Sequence, residues 1–317
     1  MGFWGYLIKR LFTSVPLILG VTLLSFVLMV YFGPDKTYEM LGKNPTPDQI
    51  ERIRDQLGYN RPFIERYGEY LVELATFDFG NSDSSGEKVS SMLSKAVPIS
   101  LGVTFPGFIL GNLLGLALAL VAAYHRSGFT DKFIMGFSVF GMSISLLIVV
   151  ITFQILFCST YGLDIFPVQG WEINGIGDYL NYVTIPTLSL AFVALGYNTR
   201  FYRAIFVEEM TKEHVRTAKA FGCGPVRLFI KHVLQNSLIP ILTRIIFALP
   251  FIVIAGALVV ETYFAIPGVG LLSFDAITSG DLPVVKAVVG CTIVLYTVVV
   301  VSADILYRLV DPRIELT

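Results

Sequence analysis

An all-α polytopic membrane protein with six transmembrane helices is the fold class this sequence predicts, and three observations carry that prediction. Hydrophobic residues fill 54% of the 317 positions and charged residues only 15%, with a mean hydropathy of +0.70, too apolar for a water-soluble fold of this length. Six apolar runs, at 11–32, 98–123, 133–158, 183–203, 243–264 and 285–307, reach the roughly 20 residues needed to cross a bilayer. Lys and Arg sort to alternate connections between these runs, as the retention of positive loops in the cytoplasm requires.

The first run follows Lys9 and Arg10 and is closed by no small-residue cleavage site, so it reads as a retained span and not a signal peptide. Residues 33–97 read as a small helical extracytoplasmic cap. The segment Gly33–Lys95 carries eight basic residues, but acidic residues balance them, and the positive-inside bias weakens in long loops. Thr46-Pro47-Asp48-Gln49 is a capping box with Pro at the first helical position; Ile50, Ile53 and Leu57 follow at helical spacing until Gly58. Pro62 opens a second helix that gathers Phe63, Tyr67, Tyr70, Leu71 and Leu74 on one face. Such a pair suits either the bilayer surface or a soluble partner.

The second run repeats small residues every fourth position, Gly107, Gly111, Gly115, Ala119 and Ala123, which predicts close backbone packing against another helix. Asn112 and Gln154 lie at membrane depth, where a lone amide is costly. They are candidates to line a translocation path, and interhelical hydrogen bonding satisfies them equally well. The fourth run has soft ends, with Asn181, Tyr182 and Pro186 near its start and Asn198 and Arg200 near its end. Asp304 and Arg308, one turn apart in the sixth, suit a local ion pair.

Lys9 and Arg10, Arg126 and Lys132, and Arg308 and Arg313 mark one side of the membrane, together with eight basic residues from Arg200 to Arg244; residues 159–182 and 265–283 contain none. Both termini are therefore predicted to be cytoplasmic. A net charge of −1 disfavours nucleic acid as a partner. Cys158, Cys223, Cys291, His125, His214 and His232 fall into no disulfide or metal-ligand spacing. No chain of buried ionisable residues crosses the runs, which counts against an ion-coupled carrier, and no selectivity-filter motif suggests a channel.

Residues 207–240 are too polar for lipid and too well patterned for a slack linker. Glu213–Phe221 suits a short helix with Val215, Ala218 and Phe221 near one face, and Gly222 supplies a stop. Gly224-Pro225 restarts a helix with Val226, Phe229, Ile230, Val233 and Leu234 available for an apolar face. A short helix propped by a second can dock into another protein; an amphipathic hairpin resting on the inner leaflet is the alternative.

The stretch Glu213-His214-Val215-Arg216-Thr217-Ala218-Lys219-Ala220-Phe221-Gly222 resembles the oligopeptide/dipeptide/nickel branch of bacterial ABC importer permeases. So do His232–Pro240 and Glu261–Gly270, and, further off, Tyr6–Phe26, Gln56–Gly58, Asp78–Ser82 and Asp311–Arg313. The resemblance thus runs in order along nearly the whole chain. The family's cytoplasmic E-A-A-x-x-x-G motif, aligned on Gly222, is met only in part, since Arg216-Thr217-Ala218 occupies the E-A-A positions and Gln235 stands where many relatives have Pro.

This resemblance implies a type I ABC importer permease fold, with residues 1–32 as the N-terminus and first span, 33–97 as the cap, and 98–317 as a five-helix core that includes the coupling loop 207–240. It implies a pore-forming subunit for di- or oligopeptides in the bacterial inner membrane. Its expected partners are a second homologous permease, two cytoplasmic ATPases and an extracytoplasmic peptide-binding protein. Glu213, Val215, Arg216, Thr217, Ala218, Phe221 and Gly222 would form the ATPase-coupling element. Glu261, Pro267, Gly268 and Gly270 are candidates for an outer gate. The chain has no GxxxxGK[ST] phosphate loop, so it is expected to be no enzyme and to bind no cofactor, with ATP and Mg held by the partner ATPases. Similar permeases also take nickel chelates, haem, glutathione or oligosaccharides, and an ion-gradient-driven secondary transporter is the alternative from another class.

Overall fold

The computed structural model describes residues 3–32, 46–56, 58–251 and 256–310, with the single positions 37, 41 and 254. Leu57, the Asp311–Arg313 segment and the side chains of Asp304 and Arg308, with the ion pair expected of them, lie outside the described residues. The described elements are helices: α1 (Phe3–Phe32), α2 (Pro47–Gln56), α3 (Phe63–Thr76), α4 (Val89–Tyr124), α5 (Phe129–Ser143), α6 (Leu146–Cys158), α7 (Ile176–Glu209), α8 (Glu213–Ala220), α9 (Pro225–Leu228), a π-helix (Phe229–Leu234), α10 (Gln235–Phe251), α11 (Ala257–Phe264), α12 (Val269–Thr278) and α13 (Leu282–Val310). By length and composition, among the described residues, α4, α7, Pro225–Pro250 and Leu282–Ser302 can each cross a membrane alone. The bent pairs α5–α6 and α11–α12 raise the number to as many as six, and α1 adds a shorter apolar stretch at Val15–Tyr31.

One expected span is broken. The run 133–158 is two helices bent by 100°, because Ile144 turns extended at φ −89°, ψ 132° and the Ser143 hydroxyl bonds back to the Val139 carbonyl at 2.7 Å. In the run 243–264, α10 is described to Phe251 and α11 from Ala257, and the described positions between them, Ile254 and Gly256, are π-helical.

The chain falls into two compact units, residues 1–96 with 272–297 and residues 97–271 with 298–317. In the first, α2 begins as its capping box dictates, with Gln49 Oε1 accepting the Thr46 N–H at 3.0 Å, and Gly58 stops the turn at φ +70°. The aromatic face of α3 closes on α1. Phe26 stacks on Tyr70 at 5.5 Å and meets Phe63 edge-on at 5.4 Å, while the Thr22 and Tyr67 hydroxyls lie 2.9 Å apart. Phe79, Val89, Leu93, Ala276, Val284 and Ala287 form a second apolar cluster in this unit. Beside it the buried Asp281 carboxylate accepts from the Ser82 hydroxyl at 2.5 Å and from the Ser84 hydroxyl at 2.7 Å. Burial pushes that carboxyl up, but the Ser82 and Ser84 hydroxyls and the Ser84 and Asp83 amides outweigh it and hold it below the ordinary range.

In the second unit α7 is wrapped closely by its neighbours. A Cβ at Gly111 would lie 2.7 Å from Ala194 Cβ, and one at Gly115 2.8 Å from Asn198 Cβ, so the small-residue ladder of α4 is what admits α7. Gly196 does the same for α5, where a Cβ would stand 2.8 Å from the Ser138 carbonyl oxygen. In lipid, where apolar side chains gain little from leaving the solvent, this close van der Waals approach is the main source of cohesion.

Candidate functional site

The polar link after α7 is built on a buried pedestal. Ala119, Ala123, Tyr202, Phe206, Phe229, Val233 and Ile241 make one apolar cluster, and Val215 of α8 is the side chain by which that short helix joins it, 4% exposed. Most of the remaining side chains of α8 are exposed. Glu213 is exposed and pairs with Arg216 at 3.3 Å, Thr217 is exposed, and Ala218 is half-buried. Phe221 is 87% exposed at the helix end. Gly222 adopts φ +77° and has open space where a Cβ would project, so its backbone conformation and not crowding calls for glycine. Of the apolar face expected after Pro225, Phe229 and Val233 are buried whereas Val226 and Ile230 are 61% and 59% exposed. The segment therefore presents an aromatic tip and two aliphatic side chains, bordered by Arg216, Lys219 and Arg227, which are exposed.

Several polar groups that hold this region passed unnoticed in the sequence. Glu209, at the end of α7, is buried, with one carboxylate oxygen 2.6 Å from Lys212 Nζ and the other 3.2 Å from His214 Nε2. Asp131 is buried and grips Arg203 of α7 through both oxygens at 2.5 Å, while accepting the Ser127 N–H at 2.9 Å.

The turn from α11 to α12 gathers Glu261, Pro267, Gly268 and Gly270. Ala265 is left-handed at φ 55°, and Ile266 N–H returns to the Glu261 carbonyl at 2.9 Å. The fully buried Glu261 side chain accepts the Gly270 N–H at 2.7 Å, with Ser100 and the Leu271 amide also directed at it; Ser100 Oγ accepts the Val269 N–H at 2.7 Å. These bonds satisfy the first amides of α12, which have no partner within that helix. A Cβ on Gly268 would overlap the Glu261 carboxylate, and one on Gly270 would lie 2.6 Å from the Ala257 backbone.

Asn112 and Gln154 each sit in a hydrogen-bonded set. Asn112 Oδ1 accepts from Tyr202 Oη at 2.5 Å and Asn198 Nδ2 at 3.1 Å, and its amide donates to the Phe108 carbonyl at 2.8 Å. Gln154 donates to the Val168 carbonyl and accepts from Tyr263 Oη, both at 2.8 Å.

Comparison with known proteins gives this arrangement its context. The description "binding-protein-dependent transport system inner membrane component" matches residues 111–316, and its N-terminal counterpart matches residues 3–104. The dipeptide transport system permease protein DppB of Bacillus subtilis is 32% identical over 316 residues, 98% of each chain. Its namesake in Lactococcus lactis is 31% identical over 313 residues, 98% of this chain and 99% of that one. A solved structure described as inward-facing conformations of the MetNI methionine ABC transporter aligns with a TM-score of 0.56 at 16% identity, covering 69% of this chain and 96% of that chain, a likeness of fold alone. From end to end, the chain belongs to the family of binding-protein-dependent transport system inner membrane components, and is a multi-pass permease of the bacterial inner membrane.

Proposed function

We propose that this permease imports di- or oligopeptides, and that α8 is the element through which separate ATPase subunits drive it. The observation that carries the coupling assignment is the exposed Phe221 tip on an eight-residue helix that the protein otherwise anchors through Val215. An aromatic side chain so placed lacks burial within the chain, and a partner surface supplies it. The peptide substrate is taken from the names of the relatives that match over the full length. Nickel chelates, haem, glutathione and oligosaccharides stay as same-class alternatives, to be separated by the ligand of the binding protein.

In this reading both termini and residues 207–240 are cytoplasmic, and residues 33–97 form the extracytoplasmic cap. A second homologous permease completes the pore, two ATPases hold ATP and Mg, and a peptide-binding protein delivers substrate from outside. The turn Glu261–Gly270 forms part of the outer gate, its backbone held by Glu261 and Ser100. Asn112 and Gln154 act as interhelical ties in preference to lining the path, because their amides already bond to neighbouring helices and loops.

The test is to purify the chain from its native operon background and reconstitute it with its co-purifying subunits. ATPases and a second permease should come with it, and hydrolysis should rise with peptide-loaded binding protein. Robust peptide uptake by this polypeptide alone, driven by an ion gradient, would establish the secondary transporter instead.

A further inference from the structure

We propose that His214 is a positioning residue that clasps the docking helix to the end of α7, so that α8 moves with the bundle and does not swivel on its single apolar anchor. The inference rests on the reading of α8 as the docking helix. An eight-residue helix has little stability of its own, so its orientation must come from what it touches. Val215 is the one buried side chain of α8 and Ala218 is half-buried, so apolar burial alone grips the helix on one narrow face. His214, the adjacent residue, projects about 100° away around the helix and supplies a second, polar anchor.

That anchor joins three elements at one imidazole nitrogen. His214 Nε2 lies 3.2 Å from the buried Glu209 carboxylate at the end of α7, 3.3 Å from the His232 carbonyl in the π-helix, and 3.2 Å from Asn236 Nδ2 at the start of α10. Two acceptors at this distance require a proton on Nε2. Asn236 then gives its own hydrogen to the His232 carbonyl at 2.7 Å and abuts the ring. The charged and titratable side chains of the surrounding elements are Arg200, Arg203, Glu208 and Glu209 in the last three turns of α7, Lys212 after it, Glu213, Arg216 and Lys219 on α8 itself, Arg227 on α9, Lys231 and His232 on the π-helix, and Arg244 on α10. Lys212 already occupies the second oxygen of Glu209 at 2.6 Å, which leaves the first for His214. Either the neutral Nε2–H tautomer or the imidazolium can donate here, so the clasp requires a donor and not a charge. Glutamine, with an amide N–H₂ at comparable reach, should replace it.

The experiment uses the whole complex in proteoliposomes, with casein-derived di- and tripeptides as probe and lumenal peptides counted by mass spectrometry against ATP hydrolysed. H214A should retain its ATPases on purification but lower peptide delivered per ATP by about tenfold or more, the scale of one lost hydrogen bond to a charged group. H214Q should return the ratio to within about twofold of wild type, and E209A should lower it at least as far as H214A, because it also releases Lys212. Equal ratios in wild type and H214A, or loss in H214A that H214Q fails to restore, would overturn the clasp. A218D separates the two claims: if A218D uncouples and H214A does not, the clasp is wrong and the docking helix stands. If A218D leaves coupling intact, the docking reading itself falls.

Discussion

The link Glu209–Gly222 and the turn Glu261–Gly270 each join two helices around a buried carboxylate, but the two carboxylates are bonded to different kinds of group. Glu261 accepts the backbone amides of Gly270 and Leu271 beside the Ser100 hydroxyl, and glycine at 268 and 270 leaves no space for adjustment. Glu209 holds the side chains of Lys212 and His214, which can shift by rotamer, and the helix it steadies ends in an exposed phenylalanine. Backbone ties fix a turn, whereas side-chain ties hold an element that must present a surface and transmit a push. The first arrangement suits a gate frame and the second a coupling lever.

The comparison breaks first at the glycines. Gly270→Ala forces a methyl into the Ala257 backbone, so the purified protein should lose about 3 kcal/mol or more of stability and fail to accumulate in the membrane. Normal expression and an unchanged melting temperature would mean that the turn is softer than described. Next, Val215→Ala should cost about 1–2 kcal/mol of local stability and speed amide exchange across α8 alone, leaving the turn at 261–270 unaffected. Exchange that rises equally in both regions would erase the distinction. Gly222→Ala should cost about 1 kcal/mol through its left-handed backbone, with reduced transport but intact insertion.

The smallest effect lies at a third carboxylate. Asp281, like Glu261, is bonded to backbone amides and hydroxyls, and its folded pKa is lowered relative to the unfolded chain. The stability it contributes is therefore present above the unfolded value of about 4 and is lost as pH falls through the folded value. Amides 82–85 should exchange faster below about pH 4, and Asp281→Asn should remove that dependence. A flat exchange profile between neutral and acid pH would show that this carboxylate does not hold the loop.

Much of this organisation could be read from residue patterns. The capping box at Thr46, the stop at Gly58 and the aromatic face of α3 follow from local chemistry, because their partners lie within a few turns or on one stripe. The glycine ladder at 107, 111 and 115 foretold tight helix packing without naming α7 as its partner, since spacing encodes a face but not what lies opposite. The break at Ile144 is not legible because the run 133–158 carries no charged residue and stays apolar on average, and hydropathy cannot distinguish one helix from two that bend. At the candidate site, Gly222 and the helix before it were legible, as was the turn at Pro267. Glu209, Asp131 and His214 were not, because each gains its meaning from a group brought close only by the fold. Phe221 shared its expected face with Val215, yet one is exposed and the other buried, since the helix ends before the phenylalanine can turn inward.

The central claim is that this permease receives the work of ATP hydrolysis through α8. The most direct measurement compares ATP hydrolysis by the reconstituted complex, with and without peptide-loaded binding protein, for the wild type and for A218D. The account predicts stimulated hydrolysis in the wild type and none in A218D, with the permease still in the membrane. Undiminished stimulation in a well-assembled A218D complex would contradict it.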